Sequence, residues 1–110
     1  MKRLLTLALV IFLCAPAQAQ SATATLTWTD NATNELTYRV ERATGNCSGT
    51  PTFAEIATLP ANTVTYVDTT AATNTWYCYR VRAVNNSGFS GYSNTYPFGP
   101  PNDPSNLVVQ

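Results

Sequence analysis

The stretch TWYCYRVRAVNNSG, Thr75–Gly88, decides how the rest of the chain is read. Its residues alternate, so Tyr77, Tyr79, Val81 and Ala83 share one face of an extended strand while Cys78, Arg80 and Arg82 share the other. The run closes on Asn85-Asn86-Ser87-Gly88, residue types that favour turns by bonding their own backbone or by tolerating unusual dihedrals. A cysteine therefore stands on the face expected to meet water, and its partner becomes the question that organises the reading.

The same period of two recurs upstream. TATLTWTD (23–30) puts Ala24, Leu26 and Trp28 on one face against threonines on the other, and LTYRVER (36–42) puts Leu36, Tyr38 and Val40 inward with Arg39 and Glu41 outward. FAEIATL (53–59) and TVTYVDTT (63–70) read as two further short strands split by Pro60-Ala61-Asn62, and YSNTYPF (92–98) as a weak last one. Six short strands with turn signals between them and no helical period predict an all-β antiparallel sandwich. Alternation alone assigns Trp28, Tyr38, Val40, Tyr66, Tyr77, Tyr79 and Val81 to the core.

Residues 1–19 read as a signal peptide: Lys2 and Arg3 precede the apolar run Leu4–Leu13, too short to span a bilayer, and Ala17-Gln18-Ala19 offers a small-residue cleavage site. Bulky Leu13 before Cys14 argues against an acylated cysteine, so no stable membrane anchor is expected and the chain should be secreted, periplasmic or held at the cell surface. Residues 20–98 then form one domain and 99–110 a proline-rich tail. The exported part keeps four arginines (Arg39, Arg42, Arg80, Arg82) and no lysine against six carboxylates, a net charge of −2, which disfavours a nucleic-acid partner. A domain of that size has a limited core, and two cysteines in an oxidising compartment are available to reinforce it.

LTWTDNATNE, YRVER, TYVDTT and YCYRVRAVNNSGFSGYSN together resemble a fibronectin type III domain of bacterial or phage kind, over about Ala24 to Phe98. The resemblance implies an immunoglobulin-like sandwich whose first strand is here short or missing, since only Gln20 to Thr23 precede the strand that carries Trp28. It also implies a buried tryptophan at Trp28 and a tyrosine corner at Tyr77, the phenol bonding back to nearby backbone. In the family's order the third and sixth strands are antiparallel neighbours sharing one pole, so Cys47 and Cys78 are expected to form a disulfide there. The usual leucine and Pro-Gly before the corner are replaced by TTAATNTW (69–76), leaving Ala71 or Ala72 and Trp76 to fill that end.

The alternation places Arg39 and Glu41 beside Arg80 and Arg82. The favoured reading is a solvated cross-strand charge ladder with Glu35 and Glu41; the alternative is a binding patch of Arg39, Arg80, Arg82, Phe89 and Tyr92 for an acidic or planar partner. No histidine, no exported lysine and a paired cysteine leave no nucleophile–base couple, so no catalytic residue, metal site or cofactor is expected. Ser87–Ser93 departs from the nucleophile-elbow spacing and reads as a hairpin turn. Asn31, Asn46 and Asn85 begin glycosylation sequons, all in expected turns.

PPNDPSNLVVQ (100–110) resembles the start of a following fibronectin type III module. The chain is thus one bead of an array, or Leu107–Val109 cover an exposed sheet edge, head to tail, in a chain that is otherwise a monomer. The expected function is a secreted, non-catalytic interaction or spacer module with an unidentified protein or glycan partner. The alternatives are an accessory domain of a polysaccharide-degrading system, with Trp76, Phe89, Tyr92 and Tyr96 as platform rings, and a self-associating surface subunit.

Overall fold

The computed structural model describes residues 21–110, so the expected signal peptide lies outside the described residues. Seven strands follow one another: β1 Ser21–Thr27, β2 Thr37–Thr44, β3 Ala54–Pro60, β4 Thr65–Ala72, β5 Tyr77–Asn85, β6 Gly88–Phe89 and β7 Tyr96–Phe98. β1 pairs with β4 in one sheet; the other has the order β3-β2-β5-β6, with β7 also on β5, and every pairing is antiparallel.

The sheets face each other because each strand keeps one apolar side. Ala24 and Ala71 from the smaller sheet meet Tyr38, Val40, Tyr77, Tyr79, Val81 and Ala83 from the larger one, with Leu26, Trp28, Tyr66 and Phe98 half-buried around them. Trp28 lies just past β1 rather than within it, and its ring is tilted against Tyr38 with centroids 5.7 Å apart. Leu36 departs from the expected inward position. It precedes β2, its amide donates to the Val84 carbonyl, and its side chain is 55% exposed.

Register fixes two poles. At one, Ser21 lies opposite Ala72, Thr44 opposite Tyr77 and Tyr77 opposite Phe98, so β1 begins where β2, β4 and β7 end. At the other, Thr27 meets Thr65 and Thr37 meets Val84. The tyrosine corner closes the first pole: the Ala72 amide donates to the Tyr77 phenolic oxygen at 2.9 Å.

The expected hairpin turn over Ser87–Ser93 is confined to its start. Beyond Gly88, at φ 136°, the chain is already returning along β5, with the Ser90 and Ser93 amides donating to the Ala83 and Val81 carbonyls. Their hydroxyls accept from the Ala83 and Val81 amides at 2.8 and 2.9 Å, replacing strand carbonyls. That substitution interrupts the ladder, so β6 falls inside the expected turn and the expected last strand (92–98) is strand only over its end, β7.

Candidate functional site: an open sheet edge beside an arginine–aromatic face

β1 has a neighbour on one side only among the described residues. The Trp28 amide donates to the Val64 carbonyl at 3.0 Å, so Trp28, and by alternation Leu26 and Ala24, direct their backbone groups to β4. The groups of Thr25 and Thr27 therefore point to the open edge. Beneath that edge a groove of about 1010 Å³ runs between the sheets, lined among others by Leu26, Trp28, Tyr79, Val81, Tyr96 and Phe98. The buried indole N–H of Trp28 has no acceptor.

The outer face of the larger sheet carries Arg39, Arg80 and Arg82. Glu41 lies opposite Arg80, and Arg39 opposite Arg82. Glu41 is itself buried, its Oε1 accepting from Arg80 Nε at 2.9 Å, its Oε2 accepting from the Tyr92 hydroxyl at 3.3 Å and lying 3.6 Å from Arg82 Nε. Rings interleave with the cations: Arg80 stands 3.8 Å from the Phe53 centroid and 3.6 Å from that of Tyr92, and Arg82 3.6 Å from that of Phe89, which Arg39 approaches at 5.1 Å. The ladder thus includes Glu41 but not Glu35, which lies elsewhere. Glu35 accepts from the Asn62 amide at 3.1 Å and braces the β3–β4 turn. Phe53, expected at the head of the third strand, lies just before β3 and joins this face, a role its place in the strand pattern did not indicate.

The expected outward cysteine is outward and yet sealed. Cys78 lies opposite Ala43 on the outer face and is bonded to Cys47, with Cα atoms 5.1 Å apart, so the loop after β2 covers it completely (0% exposed). Between the sheets, sequence reasoning missed a charged pair. Asp68 of β4 is fully buried; its Oδ2 accepts from Arg42 Nη1 at 2.8 Å and the Tyr79 hydroxyl at 2.6 Å, and its Oδ1 from the Thr70 amide and hydroxyl. Burial opposes its charge, but these bonds outweigh burial and hold its pKa down at about 2. Burial and the Asp68 carboxylate push the Tyr79 phenol well above its ordinary range. Burial and the Asp30 carboxylate push Tyr38 up to about 12.

Two facing antiparallel sheets with β2 inside the larger one and a tyrosine corner define an immunoglobulin-like sandwich of the fibronectin type III kind. No protein-family model matches the chain, and no curated protein matches it. Solved structures do: the third fibronectin III domain of the human KIAA0343 protein superposes with a TM-score of 0.58 at 14% identity, covering 79% of this chain and 77% of that one. A myokine structure gives 0.53 at 17% identity, covering 77% and 88%. The chain has the fibronectin type III fold.

Proposed function

We propose that the protein is an exported, non-catalytic interaction module that holds an extended segment of a protein partner along the open edge of β1. One observation carries the reading: the backbone groups of Thr25 and Thr27 face away from β4 over a groove that Leu26, Trp28, Val81 and Phe98 line among polar neighbours. An edge of this kind supplies affinity through main-chain hydrogen bonds and selectivity through alternate side chains entering the groove. The Cys47–Cys78 bridge is consistent with an extracellular protein, and N-terminal sequencing of exported material should begin at Gln20.

The arginine face is the weaker site, because Glu41 already pairs with both Arg80 and Arg82, leaving one net positive charge among the three, and the rings already stack on them. A sugar platform is also less supported, since guanidinium groups lie over Phe89 and Tyr92 and the Trp76 ring lies against Gly99.

The test is to pan a phage-displayed library of extended peptides against the folded chain and map amide exchange. Selected peptides should slow exchange at Thr25 and Thr27. Enriched peptides that instead protect only the Arg80–Tyr92 face, or nothing in β1, would overturn the reading.

A further inference from the structure

The proposal above leaves the partner unnamed, and the chain itself carries a segment suited to the groove. Residues 99–110 lie outside the sandwich without secondary structure, and within them Leu107 and Val109 are 92% and 90% exposed. Three apolar residues in a row, two of them β-branched, are poor company for water and good company for a pleated surface. In an extended strand Leu107 and Val109 share one side and Val108 takes the other. The first pair can enter a groove lined by Leu26, Trp28, Val81 and Phe98, while Val108 lies on the threonine-rich outer side with Thr25 and Thr27.

Direction decides whose groove is filled. β7 ends at the pole where β1 begins, so the tail of the same molecule would run along β1 in parallel. An antiparallel fit within one molecule requires the tail first to travel the length of β1 and then reverse. Gly99–Ser105 cannot supply both, because with Pro100, Pro101 and Pro104 it is a stiff spacer reaching roughly 22 Å, and β1 itself is roughly 23 Å long. A tail arriving from another molecule at the Trp28 pole meets β1 antiparallel from its first residue. The prolines also lack amide donors, so pairing is confined to the segment after them.

We propose that the groove along β1 receives Asn106–Gln110 of a second copy of this chain, entering at the Trp28 pole and running antiparallel to β1. The contact rests on the reading of β1 as the recognition edge. Donor and acceptor are different surfaces at opposite poles, so the association is head to tail and builds an open row of copies rather than a closed two-fold pair.

Sedimentation velocity of the exported chain over a range of concentrations tests this, alongside the double variant Leu107→Asp/Val109→Asp, whose changes lie in the exposed tail. The wild type should gain mass with concentration and the variant should lose that dependence. A synthetic peptide of residues 102–110 added to the variant should then slow amide exchange at Thr25 and Thr27. The inference is overturned by a wild type that sediments as a monomer throughout, by association that survives the double variant, or by a peptide that leaves those two amides exchanging as before. If panned peptides protect Thr25 and Thr27 while the 102–110 peptide does not, the tail assignment alone falls; if neither does, the edge reading falls with it.

Discussion

The Tyr79 phenol donates to Asp68 Oδ2 at 2.6 Å, and Arg42 donates to the same oxygen, so one carboxylate of β4 ties the two-stranded sheet to both β2 and β5. A buried ion pair is weak support for net stability, but breaking one leaves an uncompensated charge. Asp68→Ala strands Arg42 and the Tyr79 hydroxyl and should cost roughly 3–5 kcal/mol in denaturant unfolding. Arg42→Met combined with Asp68→Leu should cost clearly less than the two single changes together, because the pair then disappears as a unit.

The same carboxylate sets the acid limb of stability. Its folded pKa of about 2 lies below the ordinary 3.8, so the contribution is complete above about pH 4 and is lost as pH falls through 2. That difference corresponds to about 2 kcal/mol, and urea midpoints measured between pH 5 and pH 2 should fall by about that much more in the wild type than in Asp68→Asn. On the alkaline side the sign reverses: Tyr38 is raised to about 12, so its contribution is complete below 10 and lost as pH climbs through 12. Tyrosinate absorbance from Tyr38 should appear about two pH units above that of an exposed tyrosine, and earlier only where the chain unfolds.

The Cys47–Cys78 bridge spans a sequence separation of 31 residues and also roofs the first pole. Cys47→Ser/Cys78→Ser should lower stability by about 3–4 kcal/mol on the chain-entropy account. Because Cys78 is completely buried, its thiol in the native, reduced protein should react with alkylating reagents more slowly than that of Cys47.

Alternation along Thr75–Gly88 carried most of the fold into view, since a strand with one wet face announces its own orientation. It set Arg80 and Arg82 opposite the core residues, while the resemblance to a fibronectin type III domain supplied the tyrosine corner at Tyr77. What alternation cannot supply is which sheet faces which. Asp68 and Arg42 both fall on the inward phase, two residues beyond Tyr66 and Val40, and a carboxylate and a guanidinium in that phase were the available signal of a bridge between sheets. Cys78 is outward and bridged to Cys47 as expected, but its complete burial has no mark in the alternation: the face of a strand is periodic, and a loop that folds over that face is not. Ser90 and Ser93 hid the late start of the last strand and the early return along β5, because a hydroxyl that replaces a carbonyl leaves no mark on the pattern.

On the outer face, Tyr92 lies between Arg80 and Arg82, with centroid distances of 3.6 and 4.7 Å. Tyr92→Ala should cost roughly 1–2 kcal/mol by removing both cation–ring contacts. Tyr92→Phe keeps the ring and loses only the 3.3 Å bond to Glu41, so about 0.5 kcal/mol is expected. Equal losses in the two variants, read from chemical-denaturation midpoints, would mean that the hydroxyl and not the stacked ring sustains the face.

Gly99 sets where the tail leaves the sandwich. A Cβ there would fall 2.2 Å from Cδ2 of Trp76, a separation that no side chain tolerates without movement. Trp76 is 37% exposed at the start of β5, so the indole has room to swing outward. Gly99→Ala should therefore change global stability by less than about 1 kcal/mol while displacing the ring and loosening the Tyr77–Phe98 pairing beside it. With Trp28→Phe as background, so that Trp76 is the only indole, emission should shift to the red and the Phe98 amide should exchange faster. An unchanged spectrum would show that the backbone at Gly99 yields instead of the ring.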